Sequence, residues 1–159
     1  MKIGVISDTH FSQSSPDLEE LVKGPFKDVE MILHAGDITE LAVLEAFAGK
    51  NVFAVCGNMD SPAVRKQLPT RRVLETGKFK IGLIHGWGGP GGIEGRIARE
   101  FEGVDCIVYG HTHTPTQVKD RQGVFFFNPG AFGGGWAPGS RSVGVLELGG
   151  QISGQISYL

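Results

Sequence analysis

Cysteine and long apolar runs are scarce in this 159-residue sequence, and each scarcity argues against a class of protein. There are only two cysteines, Cys56 and Cys106, and both lie inside apolar stretches, which argues against a disulfide-stapled secreted fold. No stretch is long enough to cross a bilayer, and no signal peptide is recognisable at the start. We therefore expect a cytoplasmic protein with reduced, buried thiols and no membrane association.

An excess of positive charge is also missing. Fifteen Lys and Arg face seventeen Asp and Glu, and the formal net charge is −2. This balance argues against a broad basic surface for nucleic acid, although a metal pair could supply positive charge locally and leave nucleic acid open as a substrate. Hydrophobic content of 40% and charged content of 20% are ordinary for a globular chain, and the length favours one domain over residues 1–159.

The apolar patterns predict an α/β fold of two packed sheets with helices outside. The first half alternates strands and helices, which implies parallel crossovers, and the second half is expected to be mainly antiparallel. Predicted strands cover residues 2–7, 30–34, 51–56 and 105–109, and predicted hairpins join 72–75 to 79–84, 117–119 to 124–127, and 142–148 to 151–159. Three helices are predicted. The first begins at Ser15-Pro16 and runs to about residue 23, and the other two cover residues 39–48 and 93–101.

Seven side chains that can bind metal lie at or just after the ends of apolar runs. They are Asp8, His10, Asp37, Asn58, His85, His111 and His113. The strand ends of a parallel sheet meet along one edge, so residues distant in sequence can converge there. Carboxylate, imidazole and amide ligands without thiolate suit two hard or borderline divalent cations better than one structural zinc. Only a carboxylate readily bridges two cations, so Asp8 or Asp37 must be shared.

Each of these residues taken alone has a simpler explanation. Asp8 could cap a turn, Asp37 could cap a helix, and Asn58 could occupy a left-handed turn. A metal site is predicted from the set as a whole, because four of the five histidines follow strands in register with these three residues. The fifth, His34, is expected to pack or to support the ligands.

The same residues form a recognisable set of motifs. It reads Asp8-x-His10, Gly36-Asp37, Gly57-Asn58-Met59-Asp60, His85-Gly86 and Gly110-His111-Thr112-His113. This set resembles the five motifs of the calcineurin-like metallophosphoesterase superfamily. Asn128-Pro129-Gly130 matches a further loop of its small branch, which contains compact bacterial and archaeal phosphodiesterases and the retromer-type scaffold subunit.

The resemblance implies a four-layer αββα sandwich of two mixed β-sheets flanked by helices. It implies that Asp8, His10 and His113 hold one metal, that Asn58, His85 and His111 hold a second, and that Asp37 bridges them. Asp37, Asn58 and His111 are further predicted to act in catalysis. Manganese is the usual metal of the family, with iron, zinc, nickel or magnesium as substitutes.

Such a site implies hydrolysis of a small phosphoester by a metal-bridging hydroxide. Many family members have a histidine after the motif asparagine as the acid for the leaving group, but this chain has Met59, which has no proton to donate. We therefore predict a phosphodiesterase and expect Asp60 to cap a turn. The alternatives are a phosphomonoesterase or nucleotide phosphatase with the same chemistry, and a non-catalytic scaffold, against which the intact His10 counts. The natural substrate and the oligomeric state stay open.

Overall fold

The computed structural model describes residues 1–134 and 140–159. Within them, short strands are interspersed with short helices up to residue 98, and five strands follow. Trp136 borders a glycine-rich stretch of the sequence, which predicts core or rim packing, with an aromatic wall for a substrate as the alternative; it lies outside the described residues. The strands are β1 Lys2–Ile6, β2 Met31–His34, β3 Asn51–Ala54, β4 Arg71–Thr76, β5 Phe79–Ile84, β6 Cys106–Val108, β7 Thr116–Lys119, β8 Phe125–Asn128, β9 Ser142–Leu148 and β10 Ile152–Tyr158. The helices are α1 Pro16–Lys23, α2 Pro62–Gln67, α3 Ile93–Ala98 and a 3₁₀ helix over Leu41–Phe47.

The strands form two five-stranded mixed sheets, in the orders β10-β9-β1-β2-β3 and β4-β5-β6-β8-β7. The three predicted hairpins are confirmed as antiparallel pairs. The second half is mainly antiparallel, as predicted, because the three hairpins and the pairing of β9 with β1 are antiparallel. The sequence did not indicate that β6 runs parallel to both β5 and β8. Local turn residues predict hairpins well, but pairing between distant strands depends on which faces pack together.

Three apolar clusters show the predicted four layers. Alternate residues along a strand point to opposite faces, so Val5 and Leu33 lie in the cluster between the sheets, whereas Ile6 and Ile32 pack outward against α1 and the 3₁₀ helix. On the other sheet, Ile107 joins the cluster that contains Ile93 and Ile97 of α3. The αββα sandwich of two mixed sheets is therefore confirmed.

The helix α1 begins where its sequence predicts. Ser15 is the N-cap and its side chain accepts from the backbone N–H of Leu18, while Pro16 occupies the first turn, where a missing N–H has no cost. Leu18 and Leu21 are buried against the first sheet, and Gly24 ends the helix. Because Leu18 and Leu21 are three residues apart, they lie on one face and anchor the helix.

Two other helices differ from the sequence prediction. Residues 39–48 were predicted to form an amphipathic α-helix, but Leu41–Phe47 is a 3₁₀ helix that buries Val43 and Phe47, and its N-cap Glu40 makes no side-chain capping bond. The helix α2, which buries only Val64, has no counterpart among the helices predicted from the sequence. Its start, Ser61-Pro62, repeats the pattern that begins α1, but it lacks the apolar stripe that identifies a packed helix.

The mixed topology brings the ends of parallel strands from both sheets to one edge of the molecule. The predicted ligands follow β1, β2 and β3 in the first sheet and β5 and β6 in the second. In the described part of the chain, no helix has the length and apolarity needed to cross a membrane.

Candidate functional site

Three of the predicted ligands meet around one oxygen of Asp8, just beyond β1. The Oδ1 atom of Asp8 lies 3.1 Å from Nε2 of His113 and 3.8 Å from Nε2 of His10. These two ring nitrogens are 3.4 Å apart. Asp8, His10 and His113 are thus close enough for a single cation to contact one atom of each.

The other four predicted ligands extend this group through His85. Its Nε2 atom lies 3.3 Å from Oδ2 of Asp37, 3.9 Å from Oδ1 of Asp8 and 3.2 Å from Oδ1 of Asn58. Asn58 Oδ1 is also 3.0 Å from Nδ1 of His111. The structure therefore brings all seven side chains into one continuous cluster, and a second group of three, formed by Asp8, Asp37 and His85, also meets the distances of a cation site.

The backbone determines which nitrogen of two histidines faces the cluster. His85 Nδ1 lies 2.8 Å from the carbonyl oxygen of Ala35, and His111 Nε2 lies 2.8 Å from that of Gly88. A carbonyl oxygen only accepts, so each of these nitrogens carries the ring proton of the neutral imidazole. The lone pairs of His85 Nε2 and His111 Nδ1 then both point to Asn58 Oδ1, an arrangement that a cation between them would stabilise.

The cluster has a buried side and a solvent-exposed side. Asp8, Asp37 and His85 are at most 2% exposed, whereas the His10 side chain is 31% exposed and Asn58 is an exposed residue. Met59, next to Asn58, is exposed as well. A small solute can therefore reach the cluster from the side that carries His10 and Asn58.

The buried carboxylates are held in their charged form. Burial alone would raise the pKa of Asp8, but the contact with His113, the charge of His85 and the Ser7 hydroxyl together lower the pKa. Burial would likewise raise the pKa of Asp37, but His85 and the backbone N–H of Met59, 2.8 Å from Oδ1, lower it. Two anionic carboxylates in a buried cluster need positive charge nearby.

Without a cation, the histidines supply that charge. Burial lowers the pKa of His85, but its contact with Asp37 and the charge of Asp8 outweigh burial, so the pKa is raised. The pKa of His113 is raised chiefly by its contact with Asp8. Asp8 Oδ1 is fully buried, yet it accepts no well-aligned hydrogen bond from residues 1–134 or 140–159. A buried anionic oxygen surrounded by imidazole nitrogens fits a divalent cation, which would replace the protons on these rings.

Most of the ligand positions have an uncommon backbone conformation. The non-glycine residues with positive φ in the described chain are Asp8, His10, Asp37, Thr39, His111 and His113. Five of these six are predicted ligands, and Asn58, for which a left-handed turn was the simpler explanation, is not among them. Such conformations are costly and cluster at functional sites, where the surrounding structure holds them in place.

Asp60 is one residue that holds this geometry. It is 5% exposed, and its two carboxylate oxygens accept from the backbone N–H groups of Thr39 and Gly57, each at 2.6 Å. It therefore ties the loop after Asp37 to the loop that contains Asn58. Both oxygens are engaged with backbone, which agrees with the predicted turn-capping role of Asp60.

His34 and Asn128 connect further ligand loops. His34 is fully buried, accepts from the backbone N–H of Gly36 and contacts the Thr9 hydroxyl at 3.3 Å, so it packs between two ligand loops as predicted. Asn128 donates to the carbonyl of Gly110 at 2.9 Å and contacts the Thr112 hydroxyl at 3.0 Å. Asn128 thus supports the loop of His111 and His113 from the neighbouring strand.

Sequence reasoning missed two arginines that hold ligand loops. Arg65 of α2 donates to the carbonyls of Asp60 and Asn58, and Arg96 of α3 donates to three carbonyls of the loop after His85. An arginine that contacts only backbone carbonyls leaves no charge pattern in the sequence, so these contacts could not be read from it.

Comparison with known proteins identifies the family. The sequence model of the calcineurin-like phosphoesterase superfamily domain matches residues 1–151. A probable metallophosphoesterase of Methanocaldococcus jannaschii is 37% identical over 135 residues, which cover 82% of this chain and 68% of the relative. A phosphodiesterase of the same organism is 28% identical over 162 residues, which cover 92% of this chain and 93% of the relative.

Solved structures share the fold. An archaeal phosphodiesterase superposes with a TM-score of 0.79 at 24% identity over 100% of both chains. Vacuolar protein sorting 29 of Cryptosporidium parvum superposes with a TM-score of 0.71 at 23% identity, over 99% of this chain and 97% of that one. With the motif cluster and the family match over nearly the whole sequence, the chain belongs to the calcineurin-like phosphoesterase superfamily.

Proposed function

We propose that this chain is a dinuclear metal-dependent phosphoesterase that acts on small phosphodiesters. The observation that carries the proposal is the convergence of two carboxylates, four imidazoles and one amide in a single cluster at an open edge of the sheets. Asp8, His10 and His113 are proposed to hold the first cation, and Asn58, His85 and His111 the second. Manganese is the proposed metal, with iron, zinc, nickel or magnesium as substitutes.

Asp37 is the proposed shared carboxylate. Its Oδ2 atom lies 3.3 Å from Nε2 of His85 and 3.9 Å from Nε2 of His10, one proposed ligand of each cation. Asp8 Oδ1 also lies near histidines of both groups, so an experiment must distinguish which of the two carboxylates contacts both cations. The Asp37→Ala change should weaken binding of both cations, whereas Asp8→Ala should weaken the first cation more than the second.

The residues of the cluster prepare the site for phosphoryl chemistry. Divalent cations held by these carboxylates, imidazoles and the Asn58 amide would supply a hydroxide nucleophile near neutral pH and would neutralise charge on the phosphoryl oxygens. The backbone carbonyls of Ala35 and Gly88 hold the rings of His85 and His111 so that a lone pair of each faces Asn58. The proposed catalytic residues are Asp37, Asn58 and His111. Asn58 and His111 lie on the solvent-exposed side of the cluster, and Asp37 lies on the buried side next to them.

Two residues near Asn58 support a phosphodiester substrate. Met59 occupies the position where many family members have the acid for the leaving group, and its thioether has no proton to donate. Asp60 cannot replace that acid, since both of its oxygens accept from backbone N–H groups. Esters whose leaving group needs no proton are then hydrolysed best. The relative named as a phosphodiesterase, which aligns over most of both chains, agrees with this choice.

Hydrolysis of an activated aryl diester tests the proposal. Metal-free protein loaded with Mn²⁺ should hydrolyse bis(4-nitrophenyl) phosphate, and Asp37→Ala should abolish turnover while circular dichroism shows an unchanged fold. Asp28→Ala removes an exposed carboxylate outside the cluster and serves as the matched control. Equal turnover in wild type and Asp37→Ala would refute the proposed site.

The alternative functions require different results. A phosphomonoesterase or nucleotide phosphatase would prefer monoesters in a panel of mono- and diesters with the same leaving group. A non-catalytic scaffold is a candidate because vacuolar protein sorting 29 has the same fold, and it would contain well under one cation per chain and show no turnover. The intact cluster around His10 favours the enzyme.

We extend the proposal to the whole chain as a single metallophosphoesterase domain over residues 1–159 that works in the cytoplasm. Cys56 and Cys106 are buried free thiols. Burial raises the pKa of both, which keeps them protonated and unreactive. Thiols of this kind suit a reducing compartment.

A further inference from the structure

The loop after His85 wraps around a single guanidinium group. Arg96 donates from Nε and Nη2 to the carbonyl of Trp87, at 3.2 and 3.0 Å, and from Nη1 to the carbonyl of Gly91 at 2.7 Å. Its Nη2 also donates to the carbonyl of Gly89. One side chain therefore fixes three peptide groups of a loop that contains five glycines over residues 86–92.

Within the described part of the chain, this arginine has no acidic partner. Among residues 1–134 and 140–159, no carboxylate lies within ion-pair distance of Arg96. The planar guanidinium has five N–H donors in a rigid fork, and three of its carbonyl partners come from one loop. Arg96 therefore acts as a template for the shape of that loop.

The helix that carries Arg96 is anchored to the second sheet. Ile93 and Ile97 of α3 are buried in the outer cluster with Ile107. The Tyr109 hydroxyl donates to Glu94 at 2.7 Å, which ties α3 to the end of β6. The position of Arg96 is therefore set by a packed helix, whereas the glycine-rich loop has little packing of its own.

The templated loop reaches the metal cluster at Gly88. The Gly88 carbonyl accepts from Nε2 of His111 at 2.8 Å, and the opposite ring nitrogen lies 3.0 Å from Asn58 Oδ1. Gly88 is in the left-handed region, with φ +78°, and lies between two residues whose carbonyls Arg96 holds. The direction of the Gly88 carbonyl, and with it the orientation of the His111 ring, depends on the Arg96 contacts.

We propose that Arg96 is a positioning residue that sets, through the Gly88 carbonyl, the orientation in which His111 binds the second cation. The inference rests on the proposed dinuclear site and adds a residue that touches neither metal nor substrate. Partners that orient a ligating histidine are typically worth about 10- to 100-fold in metal affinity. Loss of the Arg96 contacts should therefore weaken the second cation selectively.

Calorimetric titration of metal-free protein with Mn²⁺ tests the inference. Wild type should bind two cations, and Arg96→Gln should retain the first and bind the second about 10- to 100-fold more weakly. Arg99→Gln is the matched control, because Arg99 is an exposed arginine at the end of the same helix. Arg96→Lys keeps the charge but not the fork, so it should resemble Arg96→Gln; full recovery by lysine would overturn the template role.

A double-variant cycle separates positioning from a general loss of structure. If Arg96 acts through His111, then Arg96→Gln should change the second affinity little in a His111→Ala background. The absorption spectrum of the Co²⁺-loaded protein should change in Arg96→Gln and stay unchanged in Arg99→Gln. Two cations bound by Arg96→Gln with wild-type affinities would overturn this inference alone, whereas fewer than two cations in wild type would overturn the dinuclear proposal itself.

Discussion

Gly57 leaves no space for a side chain beside the Asp37 carboxylate. A Cβ atom there would lie 2.2 Å from Asp37 Oδ1 and 2.8 Å from Cδ2 of His85. Gly57→Ala must therefore displace the Asp37 carboxylate or the His85 ring. A shift of about 1 Å in a reacting geometry can cost on the order of 100-fold in rate, so we expect about that loss in hydrolysis of an aryl diester.

The control for this change is an alanine where space is available. Gly149 has no neighbour within 4 Å of its Cβ position and no left-handed backbone, so Gly149→Ala should retain wild-type turnover. Steady-state kinetics of both variants with saturating Mn²⁺ measures the effect. Wild-type turnover in Gly57→Ala would show that the contact between residue 57 and Asp37 is not needed.

His34 should make the stability of the metal-free protein depend on pH. Burial lowers the pKa of His34 from 6.5 to about 3, although the charges of Asp8 and Asp37 oppose the shift. Between these values the unfolded chain binds a proton that the folded chain does not, so the free energy of unfolding falls as the pH is lowered through this window. Above the unfolded pKa of 6.5 this contribution to the pH dependence vanishes.

Urea unfolding of chelator-treated protein at several pH values between 4 and 7 measures the effect. His34→Gln removes the titrating ring, so its free energy of unfolding should fall less steeply toward acid, by up to about 1.4 kcal/mol per pH unit. The other titrating residues of the cluster are the same in both proteins, so the comparison isolates His34. Identical slopes would contradict the burial argument.

At the scale of elements, local sequence predicts helix starts better than helix type. The Ser15-Pro16 start and the pair Leu18 and Leu21 define α1 almost completely. Residues 39–48 have apolar side chains at suitable spacing, but no side-chain cap and only Val43 and Phe47 buried, and they form a 3₁₀ helix. The burial of these two side chains determines the conformation of this segment, because a short stretch has too little helix propensity to oppose it.

The glycine inside α3 provides a test of helix propensity. Gly95 has open space at its Cβ position and a right-handed backbone, so alanine fits there without strain. Gly95→Ala should raise the free energy of unfolding by about 0.5–1 kcal/mol, because alanine loses less backbone entropy in a helix. Urea denaturation measures the change.

Gly103, which lies outside α3, provides the matched control for Gly95→Ala. Its Cβ position is also open, but its φ of +65° is left-handed. Gly103→Ala should lower the free energy of unfolding by about 1–2 kcal/mol. If both alanine variants changed stability in the same direction, backbone conformation would not explain the difference.

At the scale of the whole molecule, Phe127 joins the two sheets. This residue of β8 inserts its ring against Gly144 of β9 and Gly154 of β10, where a Cβ atom would lie 2.4 Å from the ring in both cases. Phe127 is fully buried in the cluster between the sheets. The two glycines therefore form a slot that sets how closely the sheets approach.

Filling this slot should destabilise the fold. Gly144→Ala places a methyl group against the Phe127 ring, and overpacking of a dense core typically costs about 1–3 kcal/mol. Thermal unfolding should therefore shift to lower temperature, while turnover at 25 °C stays near wild type. Gly150→Ala, which has open space, is the control, and equal stability of the two variants would contradict the slot.

By itself, the sequence determined the family, the two packed sheets with outer helices, and the position of each candidate ligand after a strand. These features follow from local patterns, namely apolar periodicity, turn residues and motif spacing. The ligand roles of Asp8, His10, Asp37, Asn58, His85, His111 and His113 stay predictions, although the structure places the seven side chains in one cluster.

Only the tertiary structure decided how strands distant in sequence pair and what holds the cluster in place. The parallel position of β6, the return of β9 to β1 and the hydrogen bonds of Arg96 all join residues that are distant in sequence or meet through backbone carbonyls. A carbonyl is present at every position of every chain, so its use as a partner leaves no trace in the sequence. Pairing between distant strands is selected by the fit of whole faces, such as Phe127 against two glycines, and that fit exists only once the sheets are packed.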